Sequence, residues 1–101
     1  MKSDDISELI KEINLLSAYT FRGHLWAGMS QTRPSIEIRL TNKVIIEIDM
    51  MELLADTYNS MLDKIVTKLR VLLDARDKGV DIYTIEDYDK FFEIHEVLYN
   101  D

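Results

Sequence analysis

The stretch 49-DMMELLADTYNSMLDKIVTKLRVLLDARDK-78 decides the fold that this sequence can adopt. It contains no glycine and no proline, and its apolar residues recur at helical spacing over about eight turns. These apolar positions are Met51, Leu54, Tyr58, Met61, Leu62, Ile65, Leu69, Leu72 and Leu73. The pattern predicts one continuous helix that is roughly 43 Å long. A compact chain of this size has a radius of gyration of about 13 Å, so the predicted helix is long for its own domain.

Both ends of this predicted helix carry boundary signals. Asp49, with Glu52 three residues later, has the pattern of a capping box at the start of a helix. Ile48 and Leu53 have the spacing of a hydrophobic staple around the same start. Gly79 lies where a glycine beyond the last turn ends a helix. The sequence therefore predicts both boundaries of the helix as well as its length.

Residues 35–49, immediately before the long helix, alternate apolar and polar side chains in the manner of a β-hairpin. A three-residue loop, Thr41–Lys43, keeps all six apolar residues on one face. The predicted pairs are Leu40 with Val44, Ile38 with Ile46, and Ile36 with Ile48. This register sets Glu37 opposite Glu47, an unfavourable pair of like charges. It also leaves Ile45 on the outer face without an obvious reason for exposure.

The N-terminal third is predicted to hold one helix and one strand. The helix runs from about Asp4 to Tyr19, where Asp5 and Glu8 resemble a capping box. Residues 20–29 alternate with strand period, although two glycines within them weaken a strand. The polar loop that follows ends at Pro34, which favours extended backbone before it.

The C-terminal segment predicts a third helix over Ile85–Tyr99, capped by Thr84 with Asp87 at its third position. Its predicted apolar face comprises Ile85, Tyr88, Phe91, Phe92, Ile94, Leu98 and Tyr99, with His95 in the stripe. The opposite face carries four carboxylates, here called the acidic row: Glu86, Asp89, Glu93 and Glu96. Only Lys90 is placed to offset them, and like charges at such spacing repel one another.

These elements predict one α+β domain over residues 1–101 in the order α-β-β-β-α-α. If the glycines prevent a strand over residues 20–29, the order becomes α-β-β-α-α. In this prediction a small antiparallel meander or hairpin packs on the long central helix. The C-terminal helix forms a helical hairpin with the same long helix.

The charge is negative overall and uneven along the chain. Twelve basic and 19 acidic residues give a net charge of −7, which disfavours direct nucleic-acid binding. Residues 64–78 carry a net +3, whereas residues 81–101 carry a net −6. The basic block can be neutralised by the acidic last helix, or it can form a binding patch for phosphates. The first interpretation explains both blocks together and is the one favoured.

No signature of catalysis or of metal binding is present in the sequence. The absence of cysteine excludes thiolate chemistry and disulfides. The glycines form no phosphate-binding loop, and His24 and His95 belong to no metal-ligand motif. We therefore expect no catalytic residues, no metal, no cofactor and no enzymatic activity. The acidic N-terminus and the lack of a long apolar run predict a cytoplasmic protein without a membrane segment.

The remaining hypothesis is a non-enzymatic protein-binding module, an inhibitor or adaptor that docks a basic partner such as a nucleic-acid-binding protein. The acidic row is its predicted docking surface. Immunity proteins against nucleases and phage-encoded anti-defence inhibitors share this size and charge, an analogy that would place the gene on a phage or mobile element. The alternatives are a structural or regulatory homo-oligomer and an acidic export-type chaperone. A homodimer is predicted through Ile45, left over on the outer face of the hairpin, and through three apolar residues that lie off the main stripe of the long helix: Met50, Leu53 and Val66.

Overall fold

A computed structural model describes residues 1–96 and has the predicted α+β architecture. Its elements are α1 (Ser3–Thr20), β1 (Leu25–Met29), β2 (Ser35–Leu40), β3 (Lys43–Asp49), α2 (Met50–Ala55), α3 (Tyr58–Asp77) and α4 (Tyr88–Glu96). The three strands form one antiparallel sheet in the order β1-β2-β3. The chain divides into two compact units: unit 1, Met1–Leu62, and unit 2, Asp63–Asp101. The element order differs from the prediction in one place, because the long helix is two helices.

The long helix is interrupted at Asp56 and Thr57. Asp56 has extended backbone angles (φ −106°, ψ 167°), and its carboxylate accepts the backbone N–H of Thr57 at 2.8 Å. The hydroxyl of Thr57 then accepts the N–H of Ser60 at 3.2 Å, as a helix cap does. Aspartate and threonine side chains compete with the helical backbone for hydrogen bonds. The single helix predicted over 49–78 is therefore wrong at this point, although the apolar spacing continues across it.

The outer boundaries of the long segment are confirmed. The carboxylate of Asp49 accepts the N–H of Glu52 at 2.8 Å, so the predicted cap begins α2. At the other end Gly79 has a φ of 89°, which favours glycine. The N–H of Val80 donates to the carbonyl of Ala75 at 2.9 Å, the bond expected where a glycine terminates a helix.

The end of α2 is closed by the amino group of Met1. This group lies 3.2, 3.0 and 2.7 Å from the carbonyl oxygens of Leu53, Leu54 and Asp56. The last carbonyls of a helix have no partner within the helix, and a positive charge there interacts favourably with the helix dipole. The first residue of the chain therefore stabilises the short helix that follows the sheet.

The hairpin contains a β-bulge that the alternation of the sequence does not predict. The pairs Ile36–Ile48 and Ile38–Ile46 are confirmed, but Arg39 pairs with Val44 and Leu40 with Lys43. The predicted three-residue loop is thus wrong: Thr41 and Asn42 alone connect the strands, and Thr41 has a φ of 56°. The extra residue in β3 is Ile45, and the bulge turns both Ile45 and Ile46 to the buried face. Val44 points outwards instead.

Unit 1 has its core on the inner face of the sheet. The buried apolar residues there are Ile6, Leu9, Ile13, Phe21, Leu25, Ala27, Ile36, Ile38, Leu40, Ile45, Ile46, Ile48, Leu53 and Met61. The side chain of Asn14 on α1 donates to the carbonyl of Ala27 at 3.0 Å and accepts its N–H at 2.7 Å. Asn14 therefore occupies the backbone groups at the edge of β1, which would otherwise be open to another strand.

The N-terminal elements differ slightly from their predicted bounds. In α1 the carboxylate of Asp5 accepts the N–H of Lys2 at 3.1 Å, so Asp5 is the third helical residue rather than the cap. The strand predicted over 20–29 forms only from Leu25, because Arg22 and Gly23 have positive φ values of 53° and 81° and form a turn. Both glycines of this segment thus have local roles, one in the turn and one within β1.

In unit 2 the last helix begins later than predicted. Asp87 caps α4, since its carboxylate accepts the N–H of Lys90 at 3.1 Å. The predicted cap, Thr84, instead donates its hydroxyl to the carbonyl of Asp81 at 3.2 Å. The buried hydroxyl of Tyr88 donates to the carbonyl of Ile82 at 2.6 Å and fixes the connector. Leu98 and Tyr99, predicted for the apolar face of this helix, lie outside the described residues.

Two tyrosines have environments that oppose their ionisation. Burial, and then the nearby carboxylate of Asp81, raises the pKa of Tyr88 above its ordinary value of 10. Loss of hydration, followed by the carboxylates of Glu12, Glu8 and Asp5, raises the pKa of Tyr58 in the same direction. A raised pKa stabilises the fold fully below pH 10 and loses this contribution as the pH rises further, because the unfolded chain ionises first.

We therefore expect the free energy of unfolding to fall as the pH rises above about 10. Urea titrations at pH 8 and at a series of alkaline values would measure this slope. In Tyr88→Phe the slope should be shallower, and part of the late tyrosinate absorbance should be missing. A slope that is identical in the variant and the parent chain would contradict the assignment to Tyr88.

Candidate functional site

The acidic row is only partly a row in the structure. Asp89, Glu93 and Glu96 lie on α4, but Glu86 lies in the loop before the helix. Glu96 is 24% exposed at its side chain and is 3.3 Å from Nζ of Lys68 on α3. The exposed carboxylates that remain on the helix are Asp89 and Glu93, four residues apart. The late start of α4 removes one end of the row, and an ion pair occupies the other.

The Lys68–Glu96 pair also bears on the basic block of α3. Nζ of Lys68 lies 5.2 Å from the ring centroid of Phe92, so the ammonium group contacts both a carboxylate and an aromatic face of α4. This pair is one instance of the predicted neutralisation between the two helices of unit 2. It also agrees with the predicted hairpin of α3 and α4.

The four residues predicted as oligomer contacts have different environments. Ile45 and Leu53 are buried in the core of unit 1, Ile45 because of the bulge and Leu53 on the inner side of α2. Their side chains are already covered within the chain, which removes the reason for assigning them to a dimer contact. Met50 and Val66 are half-buried.

The most distinctive surface of unit 1 is the outer face of the sheet. Alternation along the strands sends the core residues to the inner face and two rows across all three strands to the outer one, with the pair Ser35–Asp49 beyond them at the end of β2 and β3. The cationic row consists of the paired residues Trp26, Arg39 and Val44. The anionic row consists of the paired residues Gly28, Glu37 and Glu47. In the structure, therefore, Glu37 and Glu47 do face each other, as predicted.

Trp26 is 46% exposed, and its ring lies along the strand against two neighbouring residues. Its ring lies over Gly28, where a Cβ atom would be only 3.2 Å from Cζ3 of the indole. Carbon atoms in contact are ordinarily about 3.5–4.0 Å apart, so a side chain at position 28 would displace the ring. The guanidinium carbon of Arg39 lies 5.6 Å from the ring centroid. The indole thus lies along the strand with an accessible surface.

Each carboxylate of the anionic row has its own arginine. Glu37 accepts a bond from Arg39 at 2.9 Å, and Glu47 accepts one from Arg33 at 3.1 Å. The first pair is partly buried, which strengthens a charge-assisted bond, and the second is more exposed. The two pairs relieve the repulsion between the facing glutamates. Arg33 and Arg39 balance the two glutamates, and Asp49, in the outer pair Ser35–Asp49 at the end of the strands, leaves this face with a net charge of −1.

This surface was not predicted from the sequence, where Trp26 stands out only as the single tryptophan. The signal that was present is the spacing of Trp26 and Gly28, two residues apart on one face of a strand. A large aromatic residue can lie over the glycine in that arrangement, since no Cβ atom interferes.

Unit 2 contains a small cleft of about 150 Å³. It is lined by Val71, Asp74, Ala75, Lys78, Val80, Phe91 and His95. The rings of Phe91 and His95 lie 4.2 Å apart, and Nδ1 of His95 is 2.8 Å from the carbonyl oxygen of Phe91. The cleft is mostly apolar, and its volume suits a side chain rather than a cofactor.

Across residues 1–96, no group of three or more histidine, aspartate or glutamate side chains is arranged to hold a metal ion. Within the same range, every helix is too short or too polar to cross a bilayer. The fold and its exposed surface thus define a small α+β protein with an exposed aromatic residue on the outer face of its sheet. Comparison with known proteins does not assign this chain to a family: no family model, no curated protein and no solved structure matches it.

Proposed function

We propose that this chain is a non-enzymatic protein-binding module of the inhibitor or adaptor type, and that the outer face of its sheet is the docking surface. The observation that carries the proposal is the exposure of Trp26, with its ring over Gly28. Tryptophan and arginine are the residues that most often dominate binding energy at protein interfaces. Here Arg39 lies beside Trp26, and Val44 adds an exposed apolar neighbour in the same row.

The position of Trp26 matters as much as its exposure. A side chain whose bound position is already favoured before binding loses less conformational entropy when a partner covers it. The missing side chain of Gly28 leaves room for the indole along the strand, and the guanidinium group of Arg39 beside the ring favours that position. The two ion pairs lie on β2, on β3 and in the loop before β2, to one side of Trp26 on the edge strand β1, and their polar groups already have partners.

Capture of partner proteins tests the proposal. The tagged chain, Trp26→Ala and Tyr19→Ala would each be purified from the native cell, with bound proteins quantified by mass spectrometry. Tyr19 is the matched control, because it is an exposed aromatic residue on α1 away from this face. We expect Trp26→Ala to lose at least about tenfold in the capture of a specific protein, and Tyr19→Ala to retain it. Equal capture by all three would refute the outer face as the docking surface.

The acidic surface of α4 is the alternative docking surface, and it keeps the prediction of a basic partner. Asp89 and Glu93 are exposed and have no arginine or lysine within ion-pairing distance among residues 1–96. The double variant Asp89→Lys/Glu93→Lys should be included in the same capture experiment. Loss of the partner in this variant alone would assign docking to α4. Loss in Trp26→Ala alone would assign it to the sheet.

A further inference from the structure

We infer that the protein bound by the outer face of the sheet is a second copy of this chain, related by a two-fold axis. The inference rests on the proposed function and identifies the partner. Its basis is the arrangement of the two rows. The cationic row contains Trp26, Arg39 and Val44, and the anionic row contains Gly28, Glu37 and Glu47 one step along the strands.

A two-fold interface brings the same surface of both copies together, so that surface must complement itself. An axis in the plane of the interface, perpendicular to the strands and between the rows, meets this condition. It sets the cationic row of one copy over the anionic row of the other. Arg39 of each copy, which pairs with Glu37 of its own chain, then also faces Glu37 of the second copy, and both contacts form together.

The position of Trp26 fits the same axis. The ring belongs to the cationic row but lies over Gly28 in the anionic row, so it lies between the two rows. The proposed axis passes between the rows as well. The indoles of the two copies therefore meet near the axis, where they can stack in an offset arrangement. A second axis, parallel to the strands, would set Glu37 against Glu37 and is disfavoured.

Net charge also favours this face for self-association. Two copies that each carry −7 repel one another unless a neutral or complementary surface mediates the contact. The two rows of the outer face provide such a surface, because Arg33 and Arg39 balance Glu37 and Glu47, and only Asp49 at the end of the strands adds a negative charge. Two copies of the acidic α4 surface, by contrast, would bring Asp89 and Glu93 against their own counterparts.

The size of the face sets the strength of the association. Three strands about 4.8 Å apart and five to seven residues long cover a footprint of roughly 300 Å². A standard stable interface buries about 800 Å² on each partner. We therefore expect a weak dimer, half formed at roughly 100 μM.

Trp26 is the only tryptophan, so its emission reports on this face directly. We expect the emission to shift to shorter wavelength as concentration rises from about 1 μM to about 1 mM, a range that spans the expected midpoint. Sedimentation equilibrium over the same range should show the mass approaching twice 11.8 kDa. A constant emission spectrum together with a monomer mass throughout would overturn the inference.

Charge exchange tests the axis itself. Arg39→Glu alone sets the new carboxylate of one copy against Glu37 of the other, and Glu37→Arg alone sets two guanidinium groups together. Each variant should therefore remain monomeric at about 300 μM, where the parent chain is mostly dimeric if the midpoint is as expected. An equimolar mixture of the two variants should associate, because every facing pair is then of opposite charge. Both variants lack the Arg39–Glu37 ion pair within their own chain. The loss of that pair therefore cannot explain association that returns when the two variants are mixed.

A mixture that stays monomeric while the parent chain dimerises would overturn this axis, provided that circular dichroism shows both variants folded. If either charge variant unfolds, Trp26→Ala serves as the substitute variant, since it should also remain monomeric.

The results also distinguish failure of this inference from failure of the proposed function. If the parent chain is monomeric but Trp26→Ala still loses capture of a different protein, the second-copy inference fails and the docking surface stands. If Trp26→Ala loses neither self-association nor capture, both fail.

Discussion

Replacing Ile45 with alanine is expected to lower the free energy of unfolding by roughly 2–4 kcal/mol. The same replacement at Val44 should cost less than about 1 kcal/mol. The reason is the β-bulge, which turns Ile45 to the inner face at 3% exposure and leaves Val44 38% exposed on the outer face. Truncation of a buried isoleucine removes its burial and leaves a cavity, whereas an exposed valine loses little. The two residues are adjacent, so they form a closely matched pair.

Urea denaturation followed by Trp26 fluorescence and by far-ultraviolet circular dichroism measures both variants. Trp26 lies in the same sheet as the substitutions and reports on its unfolding. If Val44→Ala lowered the free energy of unfolding more than Ile45→Ala, the result would support the three-residue loop that the sequence predicts. Similar small effects in both variants would contradict the burial of Ile45.

The hairpin shows why the sequence predicts strand pairing better than it predicts irregularities. Alternation aligned Ile38 with Ile46 and Ile36 with Ile48, and these pairs occur. The apolar sets of the two strands are out of phase for a two-residue turn, so one extra residue is needed. A longer loop and a bulge both provide it, and the alternation is the same in either case. The structure uses the bulge, with Thr41 at a φ of 56° in a two-residue connection.

The long helix illustrates the same limit in a helical segment. Apolar spacing correctly predicted helix on both sides of Asp56, because each side has a buried face. Continuity was wrong because the break depends on hydrogen bonds of Asp56 and Thr57, which do not alter the spacing. Residues that cap helices are also tolerated on an exposed helix surface. Their presence alone does not show which role they have.

The candidate surfaces depended on contacts that sequence spacing does not contain. The acidic row followed from a helix that was predicted to start at residue 85, and the cap by Asp87 shifted that start. The pairing of Glu96 with Lys68 needs two helices to meet. Trp26 became a candidate only when its ring was seen over Gly28 and beside Arg39. Composition and charge led to the hypothesis of a binding protein, which stays a prediction, and tertiary geometry supplied the surface that is proposed for it.

In unit 2, Phe92→Ala is expected to cost roughly 3–5 kcal/mol of unfolding free energy. Phe92 is 1% exposed and its ring centroid lies 6.4 Å from that of Tyr88 and 6.3 Å from that of Phe91. Its face also contacts the ammonium group of Lys68. Truncation to alanine removes these contacts together and leaves a cavity that the neighbouring rings only partly fill.

Ile94 provides the control for Phe92, because the sequence assigned both residues to the apolar face of the last helix. The structure leaves Ile94 57% exposed, so Ile94→Ala should change the free energy of unfolding by less than about 0.5 kcal/mol. Guanidinium titration followed by far-ultraviolet circular dichroism would measure both variants, since α3 and α4 supply helical signal. Comparable destabilisation by the two changes would mean that Ile94 is covered in solution, and a second copy or another partner on α4 would then be required.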